Sequence, residues 1–316
     1  MVAWSLAWVW IRGEVARGMD AGAERLRAAG YTVDWKARRI GGYPFRIDVT
    51  VDGLTLAERS GWALSAPQIR SEAYAYRLDQ WIGYAPSGVV LTRPGSGGVA
   101  ITGPVLRASY GAAGPDAPRV AVEGLKLAFI PEPGANPFPI RSAEHMDFHL
   151  RGLGGDRLEF LLRVDGAAAS GGVLGAVAQT RPATIAWQAV VTHASALRGG
   201  DWPDAVRNWA SAGGALDVEH GLLDAGPTHV ELRPGALTVG ADGRLRGSLG
   251  LDLGHAPGLI HALAEAKAID AGAADLATSV AQARAAGGPA AQADLTFSAG
   301  ATTFGPVAIG PSPKIY

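Results

Sequence analysis

Apolar residues follow two different periods along this chain, and the change between them divides it. Residues 2–11 carry no charge, and Trp4, Trp8 and Trp10 stand among their apolar positions. From Arg12 onward, Glu14, Arg17, Asp20, Glu24 and Arg25 alternate with small and apolar residues, which predicts a helix running to Ala29 and stopped by Gly30. After it the period falls to two. Phe45, Ile47, Val49 and Val51 alternate with Arg46, Asp48, Thr50 and Asp52, as a half-buried strand requires. Similar stretches recur at 99–110, 119–130, 143–151, 157–167 and 184–193, separated by Gly and Pro clusters that cannot continue a ladder.

The last third mixes the two periods. Asp201 can cap a short helix that places Trp202, Ala205, Val206 and Trp209 on one face, with Gly213 and Gly214 ending it. Ala241, Asp242 and Gly243 supply a tight hairpin, and Leu245, Leu249, Leu251 and Leu253 return along one face. Residues 257–269 and 270–286 are Ala-rich helical stretches, and strands at 294–298 and 303–309 close the chain. The expectation is a mainly β, α+β protein: a large, strongly curved antiparallel sheet, a long N-terminal helix and short C-terminal helices. Its organisation reads as a leading helix over 1–29 and one β-rich domain over 30–316. Within that domain, 51–71 and 122–142 align with eight identities, which reads as a duplicated strand, loop and strand.

Composition narrows the classes of function. With 316 residues, 48% of them hydrophobic and only 18% charged, the chain can bury a large core. Its 28 basic and 29 acidic groups give no field for nucleic acid. The absence of cysteine removes thiol nucleophiles, thiolate zinc sites and iron–sulfur clusters. Ten uncharged residues are too few to span a bilayer, which takes about 20. Residues 2–11 therefore read as the outer part of a membrane anchor continuing upstream of Met1, with Trp4, Trp8 and Trp10 as an interfacial belt.

No nucleophile elbow, triad or phosphate loop is present, so no catalytic residue and no cofactor is expected. The sharpest constellation is His145, Asp147 and His149, which share one face of a strand over 143–151 and include two imidazoles and a carboxylate suited to a divalent metal. Same-face neighbours on a strand lie about 6.8 Å apart and converge poorly on one ion, so the trio reads as a solvated polar face and no metal is expected. His220, His229, His255 and His261 are scattered. Trp35, Trp62, Trp81 and Trp187 read as core or groove lining, and Arg38, Arg39 and Arg46 as a solvated edge or a contact for lipid phosphate.

Gly42, Tyr43, Pro44, Phe45 and Arg46, followed by Gly61, Trp62, Ala66 and Pro67, resemble the opening of the proteobacterial "domain of unknown function 2125" family. Asp242, Gly243, Arg244, Leu245 and Gly247, with the closing Thr302, Gly305, Pro306, Val307, Gly310, Pro311 and Pro313, resemble its C-terminal end. The resemblance implies a membrane anchor or export signal at the start. More remotely, the strand-rich pattern is similar to AsmA-like envelope proteins, whose curved sheets form apolar grooves implicated in moving lipids; that link is one of fold alone. The combined expectation is a non-enzymatic protein on the periplasmic side of the inner membrane, binding or moving lipid or another apolar ligand along a sheet groove. The alternative is an envelope scaffold that pairs with partner proteins through a sheet edge.

Overall fold

The computed structural model describes residues 2–114, 117–179, 181–254, 256–267, 269–285 and 291–316. The chain opens with α1 (Val2–Ala28), which Gly30 terminates at φ +97°. Trp4, Trp8, Ile11, Val15 and Met19 recur every three or four residues, so they form one stripe, and that stripe packs against Ile47, Val49 and Val51. Arg17–Glu14 and Arg27–Glu24 ion pairs occupy the exposed side.

Among the described residues every strand belongs to one antiparallel sheet of nineteen. At one edge β1 (Thr32–Asp34) and β2 (Ala37–Gly41) both pair with β3 (Arg46–Ala57), which pairs with β4 (Ala63–Tyr74). On β4 sit β5 (Arg77–Tyr84) and β6 (Val89–Arg93), followed by β7 (Gly97–Thr102) on β6 and β8 (Val105–Gly111) on β5. Both β7 and β8 then pair with β9 (Arg119–Pro131). The meander continues through β10 (Ile140–Gly154), β11 (Arg157–Ala169), β12 (Ala183–Val191) and β13 (Leu216–Ala225). Next, β14 (Thr228–Leu232) and β15 (Gly235–Val239) share one place between β13 and β16 (Leu245–Gly254). The far edge is β17 (Ala291–Ser298), β18 (Ala301–Phe304) and β19 (Val307–Pro311). Among the described residues four further α-helices fill connections: α2 (Gly172–Ala178), α3 (Trp202–Ser211), α4 (Ala256–Glu265) and α5 (Ala271–Ala285). Register shifts within β10–β13 and in β18–β19, together with the four places shared by two short strands, bend the sheet.

Register sorts the side chains into two faces, because directly opposed residues of antiparallel strands lie on the same side. One continuous row of partners runs from Val49 through Val122, Phe148, Leu162 and Trp187 to Leu251. The neighbouring row carries Arg107, Glu123, Asp147 and Arg163 and belongs to the other face. The sheet thus has a single apolar side, and the helices cover parts of it. α1 lies over β3; Val177 and Ala178 of α2 and Ala262 of α4 join Val99, Leu127 and Val164; Ile260 of α4 and Ala277 of α5 join Leu251, Leu253 and Phe304. α3 begins at Asp201, whose carboxylate accepts from the Asp204 amide, and it buries Val206 and Trp209.

Several sequence-based elements change. The strand expected at 99–110 is two, because Gly103 and Pro104 interrupt it; a Cβ at Gly103 would stand 2.7 Å from the Leu125 carbonyl oxygen, and Pro104 has no N–H to donate. Gly305 and Pro306 likewise split 303–309 into β18 and β19. α2 is absent from the sequence reading: seven residues including two glycines carry little helix propensity, and burial of Val177 and Ala178 against the sheet stabilises it instead. The two copies of the sequence repeat each span a hairpin, but their registers differ. Val51 opposes Ile69, whereas Val122 opposes Phe148, eight residues beyond the equivalent Ile140. The second hairpin has a longer, Pro-rich connection, and Ile140 pairs with Ala169 instead.

Candidate functional site

On the apolar face a cleft of about 890 Å³ opens beside α2 and α4, which pack against one another over the sheet. Its floor is Ile185, Trp187, Leu223, Val230, Leu232 and Leu251; Leu174 and Val177 of α2 form one wall, Leu259 and Leu263 of α4 another, and Phe138 lies at the rim between two prolines. Alternation within β12, β13, β14 and β16 aims these residues to one side, and the sheet's bend brings them around a common space. Trp187 brings one polar atom: its Nε1 is buried and has no hydrogen-bond acceptor.

On the polar face Glu123, His145 and Asp147 converge. Asp147 lies directly opposite Glu123, and His145 Nε2 stands 3.2 Å from Asp147 Oδ2 and 3.5 Å from Glu123 Oε1. Arg107 donates to the other Glu123 oxygen, and Arg163 binds both oxygens of Asp165 at 2.7 and 2.9 Å. That Arg163 fork holds the Asp165 carboxyl below its ordinary range against an opposing effect of burial, and Thr184 assists. A carboxylate of depressed pKa stabilises the fold above its unfolded-state pKa of about 4, and that contribution is lost as pH falls through the lower folded-state value. Asp165→Asn is therefore expected to lower the urea midpoint at pH 7, with the gap to wild type closing as pH falls toward 3. Equal gaps at both pH values would refute this account.

Of the residues singled out in the sequence, the structure joins His145 and Asp147 but not His149. His149 is exposed and lines a separate cleft of about 800 Å³, of mixed character, with Ile82, Leu161, Arg119, Glu159 and Gln188. Glu123 was invisible because it comes from β9, and the register that sets it against Asp147 depends on the β9–β10 connection. The four groove tryptophans separate as well. Trp187 lines the apolar cleft, Trp81 lines the second one and donates to the Leu78 carbonyl, Trp35 packs beneath α1 between Arg27 and Arg38, and Trp62 stands in the β3–β4 turn.

The terminal tryptophans divide too. Trp8 is 7% exposed and donates to the Arg46 carbonyl at 2.8 Å, and Trp4 donates to that of Pro44; these two hold α1 to the sheet rather than face outward. Trp10 is 63% exposed, beside Val2, Leu6 and Val9 on the outer side of α1. Tyr43 and Phe45 extend this surface: the Tyr43 hydroxyl is 2.9 Å from Ser5 Oγ, and Phe45 lies against Trp4. No described helix is long and apolar enough to cross a membrane. Arg38, Arg39 and Arg46 pair with Asp20, Asp52 and Glu72. His229 and His261 make exposed pairs with Glu231 and Glu265, His220 is exposed on β13, and His255 lies outside the described residues.

The architecture defines a β-sheet protein with one helix-covered apolar face, a cleft in that cover and a charged opposite face. The chain belongs to the DUF2125 family, described as an uncharacterized protein conserved in bacteria, which it matches over residues 8–313. No curated protein and no solved structure matches it.

Proposed function

We propose that this protein binds a lipid or a similar apolar ligand at the inner membrane, facing the periplasm, as a passive binder rather than an enzyme. The observation that carries the reading is the cleft that α2 and α4 line over the sheet: its volume of about 890 Å³ is lined almost wholly by aliphatic and aromatic side chains. Clefts of roughly 300–1,000 Å³ with few polar groups suit ligands that are mostly hydrocarbon. The outer surface of α1 supports membrane contact. Val2, Leu6, Val9 and Trp10, with Tyr43 and Phe45, offer apolar and aromatic groups of the kind that settle at the headgroup level.

Native mass spectrometry of the full chain, purified in mild detergent from its own membrane, tests the reading. Copurified lipid is expected in wild type and should fall at least about tenfold in Leu223→Asp, which puts a charge into the floor. Leu223 also packs in the core, so Val173→Trp, which adds bulk at the 41% exposed rim of α2, provides a second obstruction with little effect on folding. Lipid-free wild type, or lipid retained in both variants, would end the proposal. A stoichiometric partner protein recovered without lipid would support the scaffold alternative.

A further inference from the structure

We propose that Glu123, His145 and Asp147 form a binding site for a divalent first-row metal ion, independent of the apolar cleft. Three observations carry it. First, the three donor atoms all lie within 4.8 Å of one another, with His145 Nε2 at 3.2 Å from Asp147 Oδ2 and 3.5 Å from Glu123 Oε1. An ion about 2.0–2.2 Å from each nitrogen and oxygen ligand sets neighbouring donors about 3–3.5 Å apart, so two of the three edges already have that length. Second, His145 Nε2 is buried and makes no hydrogen bond, although two carboxylates stand beside it. With the ring proton on Nδ1, that nitrogen offers a free lone pair toward the carboxylates. Third, the neighbouring charges leave the donors available. Arg107 occupies Glu123 Oε2 and not Oε1, and Arg163 is committed to Asp165 rather than to Asp147.

Register and side-chain length explain how the three donors converge. Lys126 and Gly166, on the strands flanking Glu144, both have positive φ, +47° and +64°, so β9 and β11 are distorted beside the residue that precedes His145. That distortion ends at Glu144: pairing with β9 and β11 is regular from His145 to Asp147, so the length of the imidazole side chain and the place of Glu123 directly opposite Asp147 bring the donors together. One imidazole and two carboxylates suit Zn²⁺ or Mn²⁺ better than the soft Cu⁺. The three side chains are between 26% and 38% exposed, so solvent or an anionic ligand can reach the remaining coordination positions.

The experiment is calorimetric titration of chelator-stripped, untagged full-length protein with Zn²⁺, repeated with Co²⁺ to read its visible absorption. About one equivalent is expected to bind. His145→Ala should weaken it at least tenfold, and so should the near-isosteric Glu123→Gln and Asp147→Asn, which keep the strand pairing. His149→Ala, two residues along the same strand, should bind as wild type does. Less than about 0.1 equivalent bound by wild type at saturating Zn²⁺, or affinity unchanged in all three ligand variants, would overturn the site. Loss in His149→Ala would do the same.

Discussion

Replacing Trp8 by alanine is expected to destabilise the protein by about 3–5 kcal/mol, the range for removing a large aromatic side chain from a core. The indole is 7% exposed and sits over Ile47, Val49 and Val51, of which Ile47 is fully buried. Its removal leaves a void that the sheet cannot collapse into, and it also deprives the Arg46 carbonyl of the Trp8 donor. Against a typical total of about 5–15 kcal/mol the loss is large enough to read in thermal or urea unfolding. Trp10, two residues on but 63% exposed, gives the contrast: Trp10→Ala should change stability by no more than about 0.5 kcal/mol while weakening association with anionic phospholipid vesicles. Equal stability losses in the two variants would show that α1 does not dock through this stripe.

Gly247→Ala is expected to cost a comparable amount through the backbone. Gly247 has φ +125°, a conformation that residues with a side chain rarely adopt, and strain of this kind costs on the order of 1–3 kcal/mol. A Cβ there would also stand 2.1 Å from the carbonyl oxygen of Ala236, on the strand that pairs with it. The obstacle is main chain and cannot rotate away, so β15 and β16 must separate locally, adding a further cost of roughly 1–3 kcal/mol. Gly258→Ala in α4 is the control. Nothing lies within 4 Å of its added Cβ, and alanine's better helix propensity should raise stability by up to about 1 kcal/mol. A Gly247→Ala protein that melts like wild type would mean that the pairing of β15 with β16 yields freely.

These two positions show how far local reasoning reaches. The hairpin at Asp242 and Gly243 was readable because a tight turn needs positive φ at its glycine, and Gly243 has φ +76°. Gly247 stands four residues on, and nothing local marks it: its constraint is the carbonyl of another strand. From the sequence Trp8 reads as part of an interfacial belt with Trp4 and Trp10, because ten uncharged residues at the start of a helix look alike. Which side of that helix meets the sheet depends on where β3 lies, forty residues away. The candidate metal ligands divide in the same manner. His145 and Asp147 were legible as same-face neighbours on one strand, whereas Glu123 required the register between β9 and β10.

By itself the sequence determined the leading helix, the two-residue period of the strands, the Asp201 cap and the Ala-rich helices, because each follows from backbone preferences and spacing within a few residues. It also determined that the strands have one apolar side. Only the tertiary structure decided that this side is continuous from Val49 to Leu251, that α2 and α4 leave a cleft over it, and which charged residues meet on the reverse. Those properties depend on register and sheet curvature, which are set by hydrogen bonds and bulges between segments far apart in the chain.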